Sequence, residues 1–361
     1  VRDLQLGTTT RINVDSEGGE AFGGYSGQPS VSADGRYVAF DSGAFNLVAG
    51  DTNGSFDIFV HDLQFGTTTR VSVDSGGVQG NGHSTEPSIS NDGRYIAFQS
   101  AASNLVAGDT NFRSDIFVRD LQLGTTTRVS VDSAGVQGDG HSNHASISND
   151  GRYVAFDSTA DNLVAGDTNG FQDVFVRDLQ LGMTTRVSVG SEGGQANFGG
   201  VEPSISGDGR YVAFRSDSSN LVAGDTNGTS DIFVRDLQLG TTTRVSVYSA
   251  GGEANGFCFE PSISADGRYV AFTSEATNLV AGDTNGTPDV FVRDLQLNTT
   301  TRVSVDSAGG EANYSSYEPS ISADGRYVTF ASDATNLFAG DTNGATDTFV
   351  ADGQLQGWWL A

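Results

Sequence analysis

"SADGRYVAF" (32–40) reads as the end of one strand, an Asx-Gly turn and the start of a second strand. Its glycine recurs as Gly35, Gly93, Gly151, Gly209, Gly267 and Gly325, a spacing of 58 residues without slippage. Working outward, each of these six copies divides into four strand-like runs, typified by "PSIS", "RYVAF", "DIFVRDL" and "TTTRVSV", here strands A to D. They are separated by "ADG" or "NDG", by a "NLVAGDTNG" loop, by "QLG" and by a Gly-rich connector. Asx-Gly predicts that A and B pair antiparallel. "RYVAF" is apolar on both faces, so it needs cover on both, and blades packed around a ring supply that cover. The sequence therefore predicts an all-β fold: a six-bladed β-propeller of four-stranded antiparallel blades, one domain over residues 1–361.

The pairing of "SADGRYVAF" (32–40) with "DIFV" (57–60), repeated along nearly the whole chain, resembles the TolB-like (WD-repeat-like) β-propellers. That resemblance implies six blades and leaves function open, because the family includes binding proteins, peptidase-associated domains and sugar-active enzymes.

The first copy begins within a blade. "VRDLQLGTTTRINV" (1–14) matches strands C and D of later units, and the last copy stops after C at "DTFVAD" (347–352). Residues 8–14 are thus expected to supply the fourth strand of the last blade, which closes the ring and removes free sheet edges. Residues 1–6 then duplicate 350–355, and a divergent tail (353–361) carries Trp358 and Trp359. The tail either docks beneath the ring or joins one molecule head-to-tail to the next.

With 45 acidic and 19 basic residues the net charge is −26, which argues against nucleic acid as a partner and invites cations. The single cysteine, Cys258, excludes an intrachain disulfide and a Cys-based zinc cluster. No apolar run is long enough to span a bilayer, and the start at Val1, without a signal-like segment, reads as a mature or trimmed product. An extracellular, cell-surface or periplasmic setting is expected.

The loop before strand C carries a D-x-N-x-x-x-D pattern in every copy. Its members are Asp51, Asn53 and Asp57; Asp109, Asn111 and Asp115; Asp167, Asn169 and Asp173; Asp225, Asn227 and Asp231; Asp283, Asn285 and Asp289; and Asp341, Asn343 and Asp347. Oxygens at this spacing suit Ca²⁺, which takes about six to eight, with Asn46 and its equivalents or water completing the shell. Up to one Ca²⁺ per blade is expected; the competing reading is an Asx turn whose aspartates bond backbone amides. Asp62 lies too far along strand C to share such an ion. In the second copy Phe112 replaces the turn glycine and is expected to stay out of the positive-φ region.

Strand direction places the B–C loops and D–A connectors on one face. The connectors vary and hold Phe22, Tyr25, His83, His141, His144, Phe198, Phe257, Phe259, Tyr314 and Tyr317, a candidate face for a protein or glycan partner. The N-x-[ST] sequons at Asn53, Asn227, Asn285, Asn298 and Asn313 read as chance matches in a Ser- and Thr-rich repeat. Arg36 and its equivalents, and the "RD" pairs such as Arg119 and Asp120, are expected to form repeated ion pairs.

No nucleophile elbow, zinc-protease motif or phosphate loop is present, and most carboxylates recur in all blades, where one catalytic role for each is implausible. The sequence favours a non-catalytic, calcium-stabilised interaction module that self-assembles. The alternative is a sugar- or peptide-processing enzyme, or a carbohydrate-binding module, acting through the loop-rich face.

Overall fold

Each repeat opens with a hairpin whose turn is built by its own side chains. Ser32 Oγ donates to Asp34 Oδ1 at 2.6 Å, the same carboxylate accepts Arg36 N–H at 3.0 Å, and Gly35 takes φ +70°. Glycine adopts that conformation without a Cβ clash, which is why the Asx-Gly pair marks the turn. The structure is a computed structural model and describes residues 1–356.

In blade 1, strand A (Ser26–Val31) pairs with B (Tyr37–Ser42), B with C (Asp57–Asp62) and C with D (Thr67–Arg70), all antiparallel. Among the described residues the same order makes five four-stranded sheets, and the sixth sheet has three strands, Ser316–Ile321, Tyr327–Ser332 and Asp347–Asp352. A single helical turn, Gly353–Gln356, follows. The architecture is an all-β six-bladed propeller on the 58-residue repeat.

The chain falls into two compact units, Val1–Gly166 with Arg177–Thr184, and Asp167–Val176 with the residues from Thr185 on. In each, neighbouring sheets cover one another as the doubly apolar B strand requires. In the first unit Ala39, Ile58 and Val60 of blade 1 pack with Ile96, Phe98 and Phe117 of blade 2. In the second, Tyr269, Ala271 and Val292 of blade 5 pack with Val328 and Phe330 of blade 6. A phenylalanine of B lies opposite one of C within the sheet, with centroids 5.8 Å apart for Phe40–Phe59 and 5.9 Å for Phe272–Phe291. Such pairs contribute about 0.5–1.5 kcal/mol beyond burial.

At the chain start, Thr8–Thr9 pairs with Arg2–Asp3 in a two-stranded ribbon. Residues 1–3 copy the end of a C strand, and a partner five residues away costs little loop entropy. Beyond the ribbon, residues 12–16 sit on blade 1 as the end of strand D and its connector do in later repeats. Thr68 Oγ1 donates to Val14 O at 2.5 Å, as Thr126 Oγ1 does to Val73 O at 2.5 Å, and Ile12 packs against the Phe40–Phe59 cluster. Trp358 and Trp359 lie outside the described residues.

The arginines divide into two sets. Arg36 grips Asp62 with Nε at 3.0 Å and Nη2 at 2.7 Å, and its guanidinium lies 4.6 Å from the Tyr37 ring centroid. This clamp recurs in every blade, ending with Arg326 and Asp352. It holds Asp62 and its equivalents in blades 2 to 4 below the usual carboxylate range, chiefly through the arginine hydrogen bond. Arg119, expected to pair with Asp120, donates instead to Asp74 O and Thr126 Oγ1, because adjacent strand residues point to opposite faces.

Candidate functional site

The D-x-N-x-x-x-D loop closes on itself. In blade 1, Asn53 Oδ1 accepts Ser55 N–H at 2.8 Å and Asn53 Nδ2 donates to Asp57 at 3.1 Å and to Gly80 O at 2.9 Å. Asp57 is fully buried and accepts Ser72 Oγ–H at 2.5 Å; Gln79 Nε2 bridges Asp51 and Asp57. The asparagine thus turns its amide N–H, not its oxygen, toward the aspartate.

A cation already stands between the carboxylates. It is the arginine of strand D, brought across the sheet because Phe59 pairs with Arg70. Arg70 lies 3.6 Å from both Asp51 and Asp57, Arg128 3.5 Å from both Asp109 and Asp115, and Arg186 3.1 Å from Asp167 and 3.6 Å from Asp173. Arg244 is 3.3 Å from Asp225 and Asp231, and Arg302 is 3.7 Å from Asp283 and 3.4 Å from Asp289. In blades 4 and 5 a glutamate joins, Glu253 on Arg244 at 2.7 Å and Glu311 on Arg302 at 2.6 Å. Asn46 and its equivalents are also spent elsewhere: Asn104 accepts Asn81 N–H and donates to Gln79 O, clipping the connector to the loop.

Burial raises the carboxyls of Asp57, Asp115, Asp231 and Asp289 above their ordinary range. Burial, followed by the neighbouring Asp231 or Asp289, pushes Asp225 and Asp283 up to about 6. Burial would raise Glu311 too, but hydrogen bonds from Thr284 and Asn285 and the charge of Arg302 outweigh it and bring the group down to about 2. Among the described residues, Asp283, Asp289 and Glu311 form the one acidic group whose oxygens lie close enough for a shared metal, within 4.8 Å of one another, and Arg302 touches all three.

Two loops differ. In blade 2, Phe112 takes φ +57°, contrary to expectation, because Asn111 Oδ1 still accepts Arg113 N–H and fixes the turn whatever residue lies between. In blade 6 the loop closes on itself: Asn343 donates to Asp347 and accepts Ala345 N–H, and no arginine reaches Asp341 or Asp347 among the described residues. A hollow lined by Phe338, Asp341, Asn343, Asp347 and Phe349 lies beside it.

A second row of polar groups was not anticipated from sequence. Each A strand carries a register shift, and the residue within it has positive φ: Gln28, Glu86 and His144 in the first unit, and Glu202, Glu260 and Glu318 in the second. A bulge re-aims its side chain, and here it reaches the next bulge. Glu86 N donates to Gln28 Oε1 at 3.1 Å and His144 N to Glu86 Oε2 at 3.3 Å; Glu260 N donates to Glu202 Oε2 at 3.0 Å and Glu318 N to Glu260 Oε2 at 2.7 Å. His144 is the exception in type: its Nδ1 is 2.7 Å from buried Asp157, and its Nε2 is 4.0 Å from Glu86. The available signal was Pro after this residue in five copies.

The predicted partner residues line the connectors. Phe22, Tyr25, Phe198, Phe257 and Tyr314 are exposed, and Phe259 and Tyr317 are half-buried. His83 and His141 use Nδ1 to accept the N–H of Phe56 and Ser114, so they fasten connector to loop. Tyr317 OH contacts Asp333 and Thr346, each at 3.3 Å. Burial pushes the Cys258 thiol up to about 12, which leaves it inert.

Six blades with a repeated polar lattice define the class: a β-propeller. No protein-family model and no curated protein matches the sequence. Among solved structures, the chain is similar to TolB from Acinetobacter baumannii at 18% identity and TM-score 0.46, covering 82% of this chain and 57% of that one. It is similar to an oligogalacturonate lyase in complex with manganese at 13% identity and TM-score 0.52, over 89% of this chain and 75% of that one. The β-propeller domain of the Trilobed protease from Pyrococcus furiosus matches at 13% identity and TM-score 0.53, over 91% and 83% of the two chains. Likeness at these identities speaks for the β-propeller fold alone. No helix among the described residues is long and apolar enough to cross a membrane.

Proposed function

We propose that the protein is a non-catalytic structural or interaction module of an extracellular, cell-surface or periplasmic setting, which self-associates and presents the aromatic connectors to a protein or glycan partner. The observation that carries this reading is the use made of the repeated charged groups. Five loop aspartate pairs are occupied by arginine, the clamp aspartates by a second arginine, and two connector histidines by backbone N–H groups. Groups tied up in this way hold blades together and are poorly placed to exchange protons with a substrate.

Calcium keeps a place in this proposal only at the sixth loop, where no arginine lies beside Asp341 and Asp347 among the described residues. Calorimetric titration with Ca²⁺ is expected to give at most one site per chain, abolished in Asp347→Asn; six equivalent sites would overturn the arginine account. The enzyme reading is favoured by one observation, the imidazole of His144 set against buried Asp157 beside Glu86. Incubation with oligogalacturonate and Mn²⁺, and with a peptide library, is expected to give no turnover. Turnover that is lost in His144→Ala would replace the proposal with that alternative.

A further inference from the structure

One departure from the repeat stands between the loop of blade 2 and the connector that leads into blade 3. Where the other five loops carry glycine, blade 2 carries Phe112, at φ +57° and 89% exposed. Arg113 follows it, where the other loops have Ser55, Phe171, Thr229, Thr287 and Ala345, and the connector brings His141 beside it. A left-handed Phe costs stability that glycine would not, and a ring left in water recovers little of it; residues held in that way cluster at ligand clamps. Other exposed aromatics on these loops and connectors have ring partners, Phe22 with Phe45 at 5.7 Å and Phe171 with Phe198 at 5.3 Å. Phe112 has none among the described residues.

The hydrogen bonds fix the state of the imidazole. Ser114 N–H can only donate, so at 3.1 Å His141 Nδ1 must accept, and the ring proton sits on Nε2. That Nε2 lies 3.2 Å from Arg113 Nη1. A guanidinium has no acceptor atom, so two N–H donors meet there and neither can satisfy the other. Both residues are fixed at the backbone. Arg113 N donates to Asn111 Oδ1 at 2.9 Å, His141 N donates to Thr159 Oγ1 at 3.0 Å, and His141 O accepts Thr159 N–H at 2.9 Å. The carboxylates nearest in sequence are engaged elsewhere: Arg128 lies on Asp109 and Asp115, and Asp139 accepts Asp161 N–H.

We propose that Phe112, Arg113 and His141 form a binding site for a sugar that carries a single carboxylate. This rests on the partner-presenting reading above and names the ligand for one part of that face. The carboxylate accepts from Arg113 Nη1 and His141 Nε2, which satisfies both donors, and the sugar ring lies against the face of Phe112. One full positive charge matches one carboxylate, whereas a phosphate monoester carries about −1.5 to −2 at pH 7 and leaves charge unmatched. A polyanion is opposed at long range by the net charge of −26, so the ligand that fits is a lone acidic sugar or the acidic end of a glycan. An Asp or Glu side chain of a protein supplies the carboxylate but no ring face for Phe112 to cover.

The test is an NMR titration of the ¹⁵N-labelled protein. Long-range imidazole correlations of the free protein are expected to place the His141 proton on Nε2; a proton on Nδ1 overturns the donor pair. Sodium glucuronate is expected to shift His141 Nε2–H saturably and glucose to leave it unmoved, while acetate binds about tenfold more weakly than glucuronate for want of the ring. Arg113→Ser and Phe112→Gly each install the residue that blade 1 has at that position, so both variants are expected to fold. Arg113→Ser should weaken glucuronate by about tenfold or more, and Phe112→Gly should bring it to the level of acetate. No shift with glucuronate, or an equal shift with glucose, overturns the site. Glucuronate and acetate bound alike, both unchanged in Phe112→Gly, overturns the sugar as occupant in favour of an acidic protein side chain. Glycan-array binding by the wild type that persists in Arg113→Ser removes this site and leaves the partner-presenting reading standing. No glycan bound and no shift removes both the site and the glycan arm of that reading.

Discussion

At the residue scale, the central feature is a buried arginine held by two aspartates, and in blades 4 and 5 burial has raised the proton affinity of both. Removing the guanidinium strands both carboxylates in a nearly dry site, so Arg302→Gln should cost about 3–5 kcal/mol, read by denaturant unfolding. A loss below about 1 kcal/mol would mean that the pair is solvated, like an ordinary surface ion pair. The pH dependence has a defined sign. Asp225 and Asp283 titrate near 6 in the folded protein against a reference of 3.8, so the fold favours their protonated forms. Their contribution to stability is fully present below pH 3.8 and is lost as pH rises through about 6. The double substitution Asp225→Asn, Asp283→Asn should therefore flatten the fall in melting temperature over that interval. The clamp aspartates, depressed by their arginines, act oppositely: their contribution is present above pH 3.8 and lost below it. Phe112 is held left-handed where other loops use glycine, so Phe112→Gly should raise stability by about 0.5–1 kcal/mol, less what the freer unfolded chain takes back. A lower melting temperature would show that the ring contributes despite its exposure.

At the element scale, strand D is the shortest part of the blade and the most economical in its contacts. Ser72 follows it, donates to Asp57 and accepts Ile58 N–H at 3.1 Å, so one hydroxyl ties D to C at the base of the loop. Ser72→Ala leaves a buried carboxylate and a buried N–H each short of a partner, and should cost about 1–3 kcal/mol, measurable by thermal melting. Much of this blade was legible in sequence. A constant period, Asx-Gly turns and a B strand apolar on both faces were enough for strand order and blade number. The loop chemistry was legible in type and not in partner. D-x-N-x-x-x-D is oxygen-rich in any reading, but which cation it meets depends on the C–D register, which alone brings Arg70 opposite Phe59. Every D strand in the sequence ends in Arg, and that was the clue. The bulge row was hidden for a different reason: a Glu before Pro carries no signal of its φ until the A–B register is known to shift.

At the scale of the whole molecule, the charge of −26 opposes the proposed self-association. Two copies repel at long range, while apolar contacts act only when the surfaces meet. Added salt screens the first effect more than the second, so association should strengthen as ionic strength rises toward about 0.15 M, where the screening length is about 8 Å. The likeness of residues 8–14 to strand D was legible, because they match it residue for residue. The pairing of Thr8–Thr9 with Arg2–Asp3 was not, since the same sequence fits two partners. Sedimentation velocity of the wild-type protein across a hundredfold concentration range tests the account most directly. It predicts boundaries that move to larger sizes as concentration rises. A single monomeric boundary at every concentration would contradict it.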